Sequence, residues 1–380
     1  MRTKLATLLV IPMFLCVLCT KGRAASIYSQ TNLVSDLPGV AAHQDPNLVN
    51  PWGISFSGTS PFWIADNGTG VATLYNGAGV PNALVATIPP PSGGTPPSAP
   101  TGTVFNSTAG FGGSHFLFDT EDGTIAAWTS GSTAVREADN SSSGAVYKGL
   151  ALDNNGQDLL YAANFHNGTI DVFTSSFAPT TVPGGFTDPT LPAGYAPFDI
   201  QNIGGLLYVT YAKQDQAKHD DVSGPGNGYV DVFNANGVLQ TRLISNGPLN
   251  SPWGIALAPA NFGTFSNDLL VGNFGDGTIN AFNPVTGAFL GTLSGLSGNP
   301  IVNQGLWAIQ FGNGAQGTST NTLYLTAGIP GPDAVEDHGL FAEIQAVPEP
   351  GTITLLIATV LVGLAFLRKS PSERAANRDL

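Results

Sequence analysis

The sequence predicts an all-β protein, a closed six-bladed β-propeller. A motif of about 50 residues recurs six times between two terminal segments. Each repeat alternates apolar and polar residues and contains Asn-Gly or Asp-Gly turns, which is typical of antiparallel hairpins. Helical periodicity is absent from the interior, so an all-β fold is favoured over a mixed one.

Three strands are recognisable in every repeat. The first strands are "PWGISFS" (51–57), "PTGTVFN" (100–106), "YKGLALD" (147–153), "PFDIQNI" (197–203), "PWGIALA" (252–258) and "GLWAIQF" (305–311). The second strands are "FWIAD", "FLFDT", "LYAAN", "LYVTY", "LLVGN" and "LYLTA". The third strands are "GVATLY", "GTIAAW", "GTIDVF", "GYVDVF", "GTINAF" and "GLFAEI". Each repeat therefore predicts one blade.

The fourth, outer strand is predicted from weaker signals. The stretches are "NALVATI", "AVREAD", "TTVPGGF", "GVLQTRLI" and "GAFLGTL" in the first five repeats. The sixth repeat has none, whereas the stretch "IYSQTNLVSD" (27–36) precedes the first repeat without a partner. We expect this segment to complete blade six and close the ring, which removes the exposed strand edges.

The repeat resembles the NHL type, in which a Pro-x-Gly-Ile-Ala strand is followed by a Val-Ala-Asp/Asn strand and a Gly-x-Ile hairpin. The resemblance covers most of residues 26–346 and implies a propeller. NHL-like propellers range from interaction platforms to hydrolases and lyases, so the resemblance leaves the activity open.

Residues 1–25 have the layout of a secretory signal peptide. Arg2 and Lys4 precede an apolar stretch from Leu5 to Leu18, and small residues surround Ala24 and Ala25. Both cysteines, Cys16 and Cys19, fall in this segment. A mature chain beginning near residue 26 would therefore contain neither a disulfide nor a thiol nucleophile.

The C-terminal segment 347–380 resembles the PEP-CTERM sorting signal of Gram-negative bacteria. A Val-Pro-Glu-Pro motif (Val347, Pro348, Glu349, Pro350) within 347–352 precedes an apolar span at 353–367 and a basic tail at 368–380. The resemblance implies export, retention at the inner membrane and cutting by an exosortase-type transpeptidase. The final destination would be the cell surface or its matrix. An ordinary single-span anchor is the alternative.

Charge limits the partners of the predicted propeller. Residues 26–346 contain five basic and 23 acidic side chains, a net charge near −18. Such a body repels phosphate backbones, so nucleic acid is not an expected partner. It attracts cations and stays soluble.

Propeller topology predicts which loops meet at one end of the channel. The loops before each first strand and between each second and third strand share one face, here called the upper face. Candidate metal or ligand residues on this face are Asn50, Asn250, Asn303, His43, Asp45, His219, Asp220, Asp221, Asp333, Asp337 and His338. Of the five histidines, only His115 is expected elsewhere.

These residues suggest a calcium site. Asn50, Asn250 and Asn303 precede first strands, and Ca²⁺ takes oxygen ligands. The design is similar to that of six-bladed lactonases, in which a channel Ca²⁺ is bound by Glu, Asn and Asp. The alternative is that these side chains only stabilise turns.

Two other residue series are expected to be structural. Trp52, Trp253 and Trp307 recur on first strands and are expected to line the channel or core, with a carbohydrate platform as the alternative. Asp66, Asp119, Asn164 and Asn273 end second strands, where hydrogen bonding within turns is expected.

Two functions remain open from the sequence. The first is a non-enzymatic binding module exported to the surface or matrix, with an exopolysaccharide or surface protein as partner. The second is an extracellular calcium-dependent hydrolase of the lactonase type. A quinone-dependent dehydrogenase is disfavoured because few basic residues exist to bind the cofactor. No catalytic sequence motif is evident.

Overall fold

The computed structural model describes residues 27–332 and 334–347, which form six β-sheets arranged as propeller blades. The described part of the chain begins with β1 (Ile27–Ser35) and β2 (His43–Gln44), which join blade six. Blade one contains β3 (Pro51–Ser55), β4 (Phe62–Asp66), β5 (Val71–Tyr75) and β6 (Ala86–Thr87). Blade two contains β7 (Pro100–Phe105), β8 (Phe116–Thr120), β9 (Thr124–Trp128) and β10 (Val135–Asp139).

The later blades follow the same order. Blade three contains β11 (Tyr147–Asn154), β12 (Asp158–Asn164), β13 (Thr169–Thr174) and β14 (Pro179–Thr180). Blade four contains β15 (Tyr195–Ile203), β16 (Leu206–Lys213), β17 (Tyr229–Phe233) and β18 (Leu239–Ser245). Blade five contains β19 (Pro252–Leu257), β20 (Leu269–Asn273), β21 (Ile279–Phe282) and β22 (Phe289–Thr292). Blade six contains β23 (Leu306–Phe311), β24 (Leu323–Ala327) and β25 (Leu340–Val347) in addition to β1 and β2. The described residues also form three short helical turns, which are Phe111–Gly113, Ser141–Ser143 and Gly263–Phe265.

Pairing between β1 and β25 closes the ring, which confirms the predicted role of the N-terminal segment. The pairing is antiparallel and runs from Ile27 opposite Val347 to Ser35 opposite Leu340. Tyr28 of β1 is 1% exposed, and its hydroxyl donates to the carbonyl of Phe262 at 2.9 Å. The first described strand is thus fixed both to blade six and to blade five.

Two of the predicted fourth strands are much shorter than the sequence suggested. The stretch 82–88 contributes only β6, and the stretch 180–186 contributes only Thr180, the second residue of β14. The second case has a local cause, because Pro183 lacks a donor and Gly184 and Gly185 weaken strand pairing. The fourth strands of blades two, four and five lie where they were predicted.

All six inner strands share an irregularity near their first residues. The pairing register shifts there in β3, β7, β11, β15, β19 and β23. We call the first residues that the pairing skips at these shifts the channel ring. Its six members are all buried, and they are Trp52, Thr101, Lys148, Phe198, Trp253 and Trp307. Rings of Trp52 and Trp253 meet at 6.0 Å between centroids, although blades one and five are not neighbours. The channel ring therefore fills the centre of the propeller.

In five of the six blades the residue after the channel-ring position is glycine or alanine, because the inner strands approach one another closely, and the exception is Asp199 of blade four. A Cβ added to Gly53 would lie 2.7 Å from the carbonyl oxygen of Thr101. A Cβ on Gly254 would lie 2.5 Å from the carbonyl oxygen of Trp307. Both contacts are with backbone atoms of the next blade, so any side chain there would push the blades apart.

The parts of the chain outside the described residues carry several predictions. The signal peptide, Asp333, Pro348, Glu349, Pro350, the apolar span at 353–367 and the tail at 368–380 all lie there. Within residues 27–332 and 334–347, no helix has the length and apolar character needed to cross a bilayer.

The close approach at the axis predicts a large effect of a single methyl group. Gly254→Ala is expected to lower the free energy of unfolding by about 1–3 kcal/mol, because the backbone of Trp307 must move. Urea denaturation of the purified protein measures the change. Gly58→Ala is the matched control, since a Cβ there meets no atom within 4 Å. Equal effects of the two substitutions would contradict the proposed crowding.

Candidate functional site

Lys148 is the single charged residue of the channel ring. Its side chain is 2% exposed and its Nζ lies 5.1 Å from the ring centroid of Trp52 and 5.9 Å from that of Phe165. A buried ammonium is costly unless it is paired and hydrogen-bonded. The aromatic faces supply part of the compensation through cation–π attraction.

Carboxylates from two upper-face loops form ion pairs with this ammonium. Glu121, which follows β8, forms an ion pair with Lys148. Asp220, between β16 and β17, places its Oδ1 3.5 Å from Nζ. Burial alone would lower the pKa of Lys148, but attraction to Glu121 outweighs it and the pKa lies above its ordinary value. The lysine therefore remains a cation.

Two asparagine side chains link the carboxylates of the cluster. Asn50 donates to Oε1 of Glu336 at 3.0 Å and to Oδ1 of Asn67 at 3.3 Å. Asn67 donates in turn to Oε2 of Glu121 at 2.8 Å. The Oδ1 of Asn50 accepts from the indole N–H of Trp307 at 3.0 Å. The channel mouth is thus one hydrogen-bonded network supported by the aromatic residues beneath it.

Glu336, in the loop between β24 and β25, is poised to titrate near neutral pH. Burial raises its pKa to about 7, although the hydrogen bond from Asn50 favours the charged form. Glu121 and Asp220 raise this pKa further by repulsion, and Lys148 lowers it. A carboxyl that titrates near pH 7 can act in proton transfer as well as in binding.

His219 and Asp220 form the exposed rim of the cluster. Their side chains are 48% and 68% exposed, and Nδ1 of His219 lies 2.9 Å from Oδ1 of Asp220. This contact raises the pKa of His219 and lowers that of Asp220 to about 2. At neutral pH the rim therefore carries an ionised aspartate beside a histidine that protonates readily.

The side-chain oxygen and nitrogen atoms of this cluster do not fit a calcium ion as ligands. Glu121, His219 and Asp220 bring ligand atoms within 4.8 Å of one another. However, Lys148 already pairs with both Glu121 and Asp220. Ca²⁺ requires 6–8 oxygen ligands, and a fixed ammonium among them would repel it. The cluster has an internal cation instead.

Within the described residues, the indole N–H of Trp52 is buried without a hydrogen-bond acceptor. The ring is 1% exposed and stacks on Trp307 with 3.4 Å between centroids. Buried donors are almost always satisfied, so an orphan donor beside a charged cluster points to water or a ligand.

The predicted asparagine series does not converge as expected. Asn50 lies one residue before β3, Asn250 two residues before β19 and Asn303 three residues before β23. Only Asn50 belongs to the Lys148 network. Asn250 accepts from the backbone of Gly224 at 2.6 Å, and Asn303 exchanges two hydrogen bonds with Gln30 of β1. Asn303 is therefore engaged at the fourth strand of blade six.

The other predicted residues are distributed around the upper face. Asp45 accepts from the hydroxyl of Tyr75 at 2.9 Å, and Nδ1 of His338 lies 2.6 Å from Asp36. His43 lies in β2, and Asp337 accepts from the backbone of Ala334 at 3.0 Å. Asp221 accepts from Ser223 at 3.0 Å. Among the candidate metal or ligand residues that the structure describes, only Asn50, His219 and Asp220 contact the Lys148 cluster.

The series at the ends of second strands also needs a correction. Asp66, Asn164 and Asn273 end β4, β12 and β20, but β8 ends at Thr120, one residue after Asp119. Because side chains alternate along a strand, Asp119 faces the opposite way and accepts from Thr101 and Gly102 at 2.9 and 2.6 Å. Burial raises the pKa of Asp119 to about 7.

Sequence reasoning missed Glu121 and Lys148, which form the centre of the site. A signal for Lys148 exists in the repeat alignment, where "YKGL" places lysine at a position held by tryptophan in three blades. Glu121 gives no such signal, because an acidic residue in a turn is common. Glu121 belongs to the site only because Lys148 of the neighbouring blade lies next to it, and the sequence does not show this contact.

The buried ion pair predicts a stability change. Lys148→Met is expected to lower the free energy of unfolding by about 3 kcal/mol, because Glu121 loses its buried partner. The double variant Lys148→Met/Glu121→Gln should recover much of that loss, as measured by urea denaturation. Lys213→Met, at an exposed lysine, is the control. Additive losses in the double variant would contradict the coupling.

Glu336 predicts a pH-dependent difference between variant and wild type. Its pKa is higher in the folded protein than in the unfolded chain, so its ionisation costs folded-state stability as pH rises from about 4.5 to about 7. Glu336→Gln removes this cost. The variant should gain stability relative to wild type at pH 8 and little at pH 4. Denaturation curves at both values test this, and a constant difference across pH would refute it.

Comparison with known proteins adds a sorting motif and a fold. Residues 346–369 match the PEP-CTERM protein-sorting motif, which confirms the predicted resemblance and indicates an exported protein. A solved protein of unknown function from Bacteroides thetaiotaomicron is 10% identical, with 85% of this chain and 76% of that chain covered and a TM-score of 0.54. A streptogramin B lyase is 10% identical, with 86% and 100% covered and a TM-score of 0.51. These two likenesses show the fold alone.

A sequence relative defines the family. The uncharacterized protein R648 of Acanthamoeba polyphaga mimivirus is 34% identical over 323 residues, which cover 80% of this chain and 78% of the relative. The chain therefore belongs to the same family as this mimivirus protein, and it carries a PEP-CTERM sorting motif on a six-bladed β-propeller.

Proposed function

We propose that this protein is an exported binding module that takes its ligand at the channel mouth around Lys148. The sorting motif implies processing by an exosortase, with the apolar span at 353–367 retaining the chain in the membrane beforehand. The ligand then comes from the cell surface or its matrix. An exopolysaccharide is the partner we favour, and a neighbouring surface protein is the other candidate.

The observation that carries this proposal is the charge at one channel-ring position. Five ring positions are filled by tryptophan, phenylalanine or threonine, which satisfy the packing of the axis. The sixth holds an ammonium that needs Glu121 and Asp220 to be tolerated. Replacing a buried ion pair by apolar side chains is often neutral or stabilising, so packing alone does not require it. A role in binding accounts for its presence.

The calcium-dependent hydrolase is the weaker hypothesis because the ammonium of Lys148 already occupies the carboxylates that would bind calcium. A channel calcium would share Glu121 and Asp220 with the ammonium of Lys148. A metal-free hydrolase keeps one point in its favour, which is that Glu336 titrates near neutral pH. That carboxyl lies within hydrogen-bonding distance of Asn50 and opens onto the same mouth.

Calcium addition separates the two hypotheses. The thermal midpoint of the full-length protein is measured in EDTA and in millimolar Ca²⁺. A ligand at 100 times its dissociation constant adds about 2.7 kcal/mol to folded-state stability, which is easily seen. We expect no shift. A rise in the midpoint that is lost in Glu121→Gln would favour the calcium hydrolase and contradict the binding proposal.

Retention on the producing cell's own matrix polysaccharide tests the binding role directly. Wild-type protein is expected to co-sediment with the extracted polysaccharide, and Lys148→Met/Glu121→Gln is expected to lose most of this retention. The double variant is used because its charge loss is balanced. Lys213→Met is the control for loss of a lysine away from the channel mouth. Equal retention of all three proteins would refute the role of the channel mouth.

A further inference from the structure

A pocket of about 200 Å³ lies beside the Lys148 cluster, between the upper-face loops of blades four, five and six. Its apolar part is formed by Phe274, Val302 and Val335. Phe274 stacks on Trp307 of the channel ring with 4.2 Å between ring centroids. The pocket is thus continuous with the aromatic centre of the propeller, and its size suits one substituted six-membered ring.

The apolar surface of this pocket is unusually accessible. Val302 is 53% exposed and Val335 is 37% exposed, whereas Phe274 is half-buried on its stack. Because both valine side chains are so exposed, neither contributes to filling the hydrophobic core. An aromatic floor with exposed aliphatic walls suits the C–H face of a ligand that also carries polar groups.

Polar groups lie at the rim of the same pocket. Asp276, Gln304 and Ser223 are among its lining residues. The carboxylate of Asp276 accepts from Thr278, from Asn273 at 3.3 Å and from Asn250 at 3.3 Å, and all three donors are uncharged. Gln304 is exposed and offers both a donor and an acceptor. This combination of acceptors, amide and hydroxyl can bind several hydroxyl groups at once.

The charge around the pocket is negative. Among the described residues that line it, none is basic and Asp276 is acidic. Ser223 donates to Asp221 at 3.0 Å, and Glu336 directly follows Val335 in the chain. The ammonium of Lys148 is already paired with Glu121 and Asp220. A ligand with its own carboxylate would meet repulsion here, and an amine would be attracted.

We propose that this pocket binds a single pyranose ring without negative charge, and that an amino sugar binds it most tightly. The ring's C–H face would lie on Phe274, its hydroxyls would meet Gln304 and Ser223, and its amine would face Asp276. This proposal rests on the proposed binding function and names the ligand class for it. It predicts an order of affinity: hexosamine, then neutral hexose, then hexuronate.

Titration of the full-length protein with glucosamine, glucose and glucuronate, followed by saturation-transfer NMR, tests the order. Glucosamine is expected to bind about tenfold more tightly than glucuronate, with the difference reduced in high salt. Strongest binding by glucuronate, or no binding by any of the three, would overturn the proposal.

Two pocket-filling variants locate the binding. Val302→Trp and Val335→Trp place a large ring in the pocket at exposed positions, so both should fold normally. Each is expected to weaken glucosamine binding at least about tenfold. Val285→Trp is the matched control, because Val285 is 83% exposed in the turn between β21 and β22. Glucosamine binding that persists in both pocket variants would overturn the assignment.

The same variants distinguish failure of the pocket from failure of the proposed function. Polysaccharide retention that is lost in Lys148→Met/Glu121→Gln but unchanged in both pocket variants would overturn the pocket and leave the channel-mouth function standing. Retention unchanged in every variant would refute the proposed function itself. Retention lost in all three variants, with sugar binding lost in parallel, supports both.

Discussion

Crowding at the axis is the constraint on which the rest of the propeller depends. Six inner strands converge so closely that Gly53 and Gly254 have backbone atoms of the next blade where a side chain would be. The shift in pairing register at the same place turns the preceding residue towards the centre. The glycine and the channel-ring residue are therefore consequences of one geometry, and the glycine recurs in four of the six blades.

A six-fold fold produces a single site because its sequence departs from the repeat at a few positions. Lysine replaces an aromatic residue at one ring position, and Glu121 lies in the neighbouring blade to receive its charge. Asp220 and Glu336 reach the same place from blades four and six. Each residue alone would be an unremarkable loop or strand residue. Convergence at the axis is what makes them one electrostatic unit.

The architecture could be predicted from the sequence because its signals are local and repeated. Strand alternation, turn dipeptides and an unpaired first segment gave six blades and the closure of β1 onto β25, as the structure has them. The outer strands were less predictable, since they pack on one side only and tolerate Pro183, Gly184 and Gly185. Because the outer strands are less tightly packed, their sequences show less regular alternation of apolar and polar residues.

The site was less predictable because it depends on which side chains of different blades lie close together at the axis. Local sequence patterns do not show these contacts between blades. Asn303 precedes an inner strand as Asn50 does, yet a difference of two residues in loop length directs it to Gln30 instead. Asp119 and Asp66 look equivalent, but one residue of register reverses the side chain. For Lys148, the repeat alignment shows its position on the inner strand, but it does not show which acidic residues lie next to it.

The internal ion pair also determines what kind of ligand the channel mouth can accept. Lys148 neutralises about one of the carboxylates around it, so Asp220 and Glu336 leave the mouth negative above neutral pH. A metal ion would have to displace a tethered ammonium, whereas a neutral or cationic organic ligand would not. The nearby aromatic surface of Phe274 adds contact area without adding charge. On the proposed binding function, the fixed cation disfavours a metal ion at the mouth and favours ligands that combine apolar faces with hydrogen-bond donors.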